Sequence, residues 1–169
     1  LFNIEPKNGY IVFGEFWMTG KLFKAFEGHQ FGNLKRIDNK KDSKIKTIND
    51  LFEYLMKAHS KDTAHPACQS SWVKSDPTYG QCAIVSMIVN KMFGGDIRKL
   101  KFEDGNTHYF NFINGHTYDL TSMQFDLYNI ELDYSKFIKV DASYCGKNQN
   151  TMERYNKLVH NLEKVVGEK

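Results

Sequence analysis

The sequence predicts an α+β fold in which one buried helix packs on an antiparallel sheet. Three stretches carry that expectation. Between Ala83 and Phe93 almost every residue is apolar, and Gly94-Gly95 follows. That is a helix covered on most sides, closed by a left-handed cap. Asn114-Gly115 lies between two β-rich runs, 107–113 and 116–121. Asn-Gly is the strongest short signal for a two-residue hairpin turn. From about Thr151 onward, Met152, Tyr155, Leu158, Val159, Leu162 and Val166 recur at helical spacing, which predicts an amphipathic terminal helix.

The remaining elements follow in order. Residues 1 to about 38 read as short strands and turns. A β-rich run at 10–17 is turned back by Thr19-Gly20 into 21–26. The lysine-rich stretch 38–44 reads as an exposed, solvated connector. Thr47 is an expected N-cap with Asp50 in the first turn, and Leu51, Tyr54, Leu55 and Met56 give the apolar stripe of a first helix. A loop with Pro66 and Pro77 spans about 60–79. Strands are expected at 97–102 and near 137–140. The chain thus divides into a β-rich N-terminal extension with its connector, residues 1–46, and a domain of residues 47–169.

Composition narrows the function classes. The 169 residues are 41% apolar and 25% charged, with 13 Phe and 9 Tyr to build a core. A net charge of +3 is too weak to predict a nucleic-acid partner. No apolar run reaches the length of a membrane span, and the first residues lack a signal-peptide pattern. The chain opens on Leu1 rather than Met, which fits a fragment. Three cysteines with no CxxC pair argue against a structural zinc site and for a reducing, cytoplasmic setting. HExxH and glycine-rich phosphate loops are absent, so neither a metal nor a cofactor is expected. The sequence assigns no oligomeric state.

Cys82 is the expected nucleophile. At the first turn of a helix, the positive end of the macrodipole favours the thiolate. Unpaired backbone N–H groups at that end can receive an oxyanion. Gly80 lets the chain enter the helix sharply. If Asn114-Gly115 is a two-residue turn, Ile113 sits opposite His116, Phe110 opposite Asp119, and His108 opposite Thr121. His108 and Asp119 are then diagonal neighbours on one face, with Cβ atoms roughly 6–8 Å apart. That is within reach of an imidazole–carboxylate hydrogen bond, whereas His116 falls on the other face. Alone, Cys82 reads as a small buried residue, His108 as a core histidine and Asp119 as a turn carboxylate. Together, in this order and on these elements, they read as a catalytic triad. Gln81 is a candidate oxyanion donor and Trp72 a candidate substrate-site aromatic; a solvent-facing helix residue and a packed ring are the plainer roles.

Tyr79-Gly80-Gln81-Cys82 is similar to the segment around the nucleophile of animal transglutaminases. A closer resemblance is to the bacterial YunG-like proteins. It rests on Trp72, Pro77, Gly80 to Ala83, Gly94 to Ile97, His108 to Asn111, Asp119 to Thr121, and Gln124-Phe125, and it covers about residues 48–165. The resemblance implies a papain-like core: a nucleophile helix on an antiparallel sheet that carries the histidine and the acid. It implies Cys82 as nucleophile, His108 as base and then acid, and Asp119 as orienting acid. Ala83 stands where transglutaminases have Trp, and Trp72 lies closer to the nucleophile than their transition-state Trp does.

The expected activity is cysteine-dependent acyl transfer, as hydrolysis of an amide or isopeptide bond in a protein or peptide substrate through a thioester. Transamidation or deamidation of protein glutamine is one alternative. Another is a non-catalytic interaction module whose N-terminal segment presents Phe16, Trp17, Phe23 and Phe26 to a partner. Nucleic-acid binding through Lys40, Lys41, Lys44 and Lys46 is the third and least favoured option.

Overall fold

The computed structural model describes residues 25–38 and 43–167. The strand expected at 10–17 and residues 21–24 of the one expected at 21–26, and with them Phe16, Trp17, Phe23, Lys40 and Lys41, lie outside the described residues.

Helix α1 (Ile48–Ala58) starts where the sequence places it. The Thr47 hydroxyl accepts from the Asp50 N–H at 3.2 Å, and the Asp50 carboxylate accepts from the Thr47 N–H at 3.0 Å. This reciprocal box satisfies two N–H groups that the first turn otherwise leaves unpaired. Ile48, Leu51, Phe52 and Leu55 are the buried stripe.

Helix α2 (Cys82–Phe93) is followed by β1 (Asp96–Lys101), β2 (Thr107–Ile113) and β3 (His116–Tyr118). Gly94 and Gly95 both take positive φ, 77° and 76°. A Cβ on Gly95 would lie 2.5 Å from the Phe112 carbonyl oxygen, so the turn from helix to sheet requires glycine there. Next come the short helices α3 (Met123–Asp126) and α4 (Ala142–Cys145), with strand β4 (Ile138–Val140) between them. Helix α5 (Gln149–Gly167) closes the described chain.

The antiparallel sheet has the order β3-β2-β1-β4. Ile113 pairs with His116 across Asn114-Gly115, as the two-residue turn requires. Helix α2 packs on β2 and against α5, and α5 packs on α1. Asn111 ties the first of these contacts, its side-chain N–H donating to the Ser86 carbonyl of α2 at 3.0 Å.

The described part of the N-terminal segment is strapped to this body. Phe26 is fully buried, 4.8 Å from the Phe52 ring. It therefore does not form part of an exposed aromatic surface. The Asp119 N–H donates to the Glu27 carbonyl at 2.9 Å, and the Glu27 N–H donates to the Ser122 hydroxyl at 2.9 Å. The Tyr118 hydroxyl donates to the Phe31 carbonyl at 3.1 Å. That pairing explains why β3 stops at Tyr118 rather than running to Thr121. Beyond Tyr118 the chain bridges to Glu27, then turns through Leu120 and Thr121 into α3.

Candidate active site

Cys82 opens α2, and its side chain is partly exposed on a cleft of about 600 Å³. His108 comes from the start of β2 and Asp119 from just past the end of β3. Both are 1% exposed, and His108 Nε2 lies 2.6 Å from Asp119 Oδ2. The hairpin register places the two residues on one face, and their side chains close the gap.

The Asp119 carboxylate is held on both oxygens. Oδ1 accepts from the Thr121 N–H at 3.1 Å and from the Thr121 hydroxyl at 3.2 Å. Oδ2 accepts from the Tyr134 hydroxyl at 2.7 Å as well as from His108. A buried carboxylate without such partners would be costly. Burial first, then the Asp119 charge, pushes the Tyr134 hydroxyl far above its ordinary range, so it stays a donor.

With Nε2 bound to Asp119, the Nδ1 atom of His108 is the nitrogen left for the nucleophile. Nδ1 is buried and makes no hydrogen bond, and Cys82 lies near enough to the ring to favour its charged form. Loose nucleophile–base geometry of this kind is common in unliganded sites and tightens with substrate. Burial alone would lower the imidazole pKa. The Asp119 charge and hydrogen bond, helped by Cys82, outweigh it, and the pKa is pushed up to about 10. The ring is thus stabilised as an imidazolium between a carboxylate and a sulfur. The Phe125 ring stands edge-on to it at 4.7 Å.

The approach to Cys82 is equally constrained. Gly80 has φ +75°, and a Cβ there would lie 2.7 Å from Cys68 Cβ. The Gly80 N–H donates to Gln124 Oε1 at 3.3 Å, and Gln124 Nε2 donates to the Thr121 carbonyl at 3.0 Å. Gln124 therefore clamps the backbone before the nucleophile to the turn that holds Asp119. Helix geometry leaves the N–H groups of Cys82 and Ala83 without a carbonyl one turn back.

Of the five residues singled out from sequence, the structure brings Cys82, His108 and Asp119 together. Gln81 and Trp72 do not join them. Gln81 is fully buried, donates to the Ser60 carbonyl at 3.1 Å and lies against His59 instead of lining the cleft. Trp72 Nε1 donates to the Pro77 carbonyl at 3.1 Å, and its ring does not line the cleft either. Tyr134, Thr121 and Gln124 are additions to the site. Their roles depend on the turn after β3, for which the sequence carries no periodic signal. Cys145 is buried, and burial with the nearby Cys82 charge pushes its thiol up to about 11. Among the described residues no cluster of His, Cys, Asp or Glu is arranged to hold a metal ion, and no helix is long and apolar enough to cross a membrane.

Fold and site together define an α+β domain with a helix-borne cysteine facing a hairpin-borne His–Asp pair. A family model described as YunG protein matches residues 47–167, and the chain belongs to that family. It is similar to "Uncharacterized protein YunG" of Bacillus subtilis (strain 168), with 39% identity over 56 residues. That match takes in 33% of this chain and 48% of the relative, so the chain spans about half the length of the relative it matches. No solved structure matches it.

Proposed function

We propose that the protein is a cysteine-dependent acyl-transfer enzyme with a papain-like core, hydrolysing an amide or isopeptide bond in a protein or peptide. The observation that carries this reading is the 2.6 Å His108–Asp119 pair set beside a cysteine that opens both a helix and a cleft.

In the resting site the Cys82 proton is already on Nδ1 of His108, and the thiolate of this ion pair attacks the substrate carbonyl. A C–S bond forms while the carbonyl π pair moves onto oxygen. The N–H groups of Cys82 and Ala83 receive that oxyanion. Collapse expels the amine, which leaves with the imidazolium proton, and a thioester remains. Water, deprotonated by His108, attacks the thioester and releases the acid with the Cys82 thiolate. An amine in place of water would give transamidation by the same steps. Three free cysteines support a reducing, cytoplasmic setting for this chemistry.

The test is alkylation by iodoacetamide near neutral pH, read by mass spectrometry at each cysteine. Cys82 is expected to react at least about tenfold faster than Cys68 and Cys145, and Cys82→Ala should remove that fast phase. Equal labelling of Cys68 and Cys82 would sink the proposal.

A further inference from the structure

Among the described residues Arg154 is the one guanidinium that lines the cleft beside Cys82 and His108, and it is 5% exposed. It sits on the buried stripe of α5, four residues before Leu158 and eight before Leu162. A charge placed there is expected to meet a counter-ion. None of the ion pairs among the described residues includes it. Nε donates to the Asn150 side-chain oxygen at 2.7 Å, Nη1 to the Thr63 carbonyl at 3.4 Å and Nη2 to the Thr151 hydroxyl at 3.3 Å. All three acceptors are neutral. A guanidinium has five N–H donors, so one remains on each of Nη1 and Nη2.

Carboxylates are scarce around Arg154 among the described residues. It also lines an adjoining pocket of about 440 Å³, which shares Ala83, Thr107 and Tyr109 with the cleft. That pocket adds Lys147 and, among the described residues, has no Asp or Glu in its lining. Among the described residues the cleft itself is lined by a single carboxylate, that of the exposed Asp104, which is occupied by Asn106 at 2.9 Å. Burial disfavours the charged form of Arg154, and Cys82 and Cys68 lie within electrostatic reach and partly offset that effect.

Resting on Cys82 as the nucleophile, we propose that Arg154 is a substrate-binding residue that receives a carboxylate. The substrate is then an amide whose acyl portion carries a carboxylate close to the scissile carbonyl. Planar, two-point recognition of a carboxylate is what a guanidinium fork offers and an ammonium does not. Arg154 also joins α5 to the Thr63 carbonyl, and a purely structural strut would show no preference for charge at Cys82.

Iodoacetate and iodoacetamide alkylate the same sulfur and differ in carrying a carboxylate or an amide. The rate ratio of the two at Cys82, read by mass spectrometry, isolates charge recognition from thiol activation. In Arg154→Gln the iodoacetate-to-iodoacetamide ratio should fall about tenfold from wild type, and Arg154→Lys should retain an intermediate ratio. A ratio unchanged in Arg154→Gln would overturn the assignment. Because both reagents are read at one sulfur, this outcome is separate from failure of Cys82 to outpace Cys68 with iodoacetamide, which would remove the catalytic reading itself. Should Arg154→Gln fail to fold, wild type alone decides the matter. Millimolar glutarate should slow alkylation of Cys82 by iodoacetamide, and the uncharged diamide of glutarate should not; equal effects would overturn the proposal.

Discussion

His59 and His108 are both buried histidines, and burial pushes both rings toward the neutral form. His59 closes α1 and lies against the neutral Gln81 side chain, so burial prevails and its pKa falls to about 4. His108 lies against Asp119, whose charge and hydrogen bond reverse the sign and raise the pKa to about 10. One carboxylate separates a core histidine from a catalytic candidate. The two rings also stabilise the fold in opposite pH windows. For His59 the folded value is depressed, so its contribution is present above the unfolded value near 6.5 and is lost as pH falls through about 4. For His108 the folded value is raised, so its contribution is full below about 6.5 and is lost as pH rises through about 10.

The strongest way to break the contrast is to remove the carboxylate. Asp119→Ala leaves a buried imidazole without its partner and two buried hydroxyls, of Thr121 and Tyr134, without their acceptor. It should cost about 3–5 kcal/mol in urea unfolding near neutral pH, and His108 should then titrate below its ordinary value, like His59. A loss under 1 kcal/mol would mean that the pair contributes little.

Next in size is His59 itself. His59→Gln keeps a polar side chain but nothing that charges, so the variant should lack the steep loss of stability between pH 6.5 and 4. The difference between variant and wild type should change by roughly 3 kcal/mol across that window, from the displacement of the pKa to about 4. Parallel unfolding curves across the same range would show that His59 does not titrate as described. Alkylation of Cys82 should be unaffected, since His59 is not among the residues that line the cleft.

His108→Gln is read at the sulfur. The alkylation rate of Cys82 near neutral pH should fall on the order of 100-fold. A change of less than threefold would detach the ring from the nucleophile. The smallest effect belongs to Tyr134→Phe, which removes one donor to Asp119 and keeps the ring against Phe110 at 4.8 Å. It should cost about 1–2 kcal/mol of stability and lower the His108 pKa only slightly in an NMR titration. A collapse of the His108 pKa to that of His59 would instead make Tyr134 an equal partner in the pair.

The sequence makes legible those parts that rest on local codes. Thr47 with Asp50 starts α1, Gly94-Gly95 ends α2, and Asn114-Gly115 sets the register that aligns His108 with Asp119. Those codes act over a few residues, and long-range packing reinforces each. What stayed illegible depends on contacts between distant segments. Tyr134 reaches Asp119 across 15 positions, and Gln124 reaches Gly80 across 44. Nothing near either residue signals its partner. The expected direction of Gln81 failed to anticipate its contact with the Ser60 carbonyl, because a residue at a helix start can turn outward or inward and the loop at Ser60 decides. Arg154 did leave a mark: a charge falls in step with Leu158 and Leu162 on the apolar stripe of α5, and only the fold shows that this stripe ends at the cleft.

The protonation of the two rings bears most directly on the claim that Asp119 and Cys82 hold His108 as an imidazolium. Nitrogen-15 chemical shifts of the His59 and His108 side chains, followed from pH 5 to 9 in the intact chain, read it without any substrate. The expected result is His108 carrying protons on both nitrogens through neutral pH while His59 carries one. Two neutral rings at pH 7 would contradict the account.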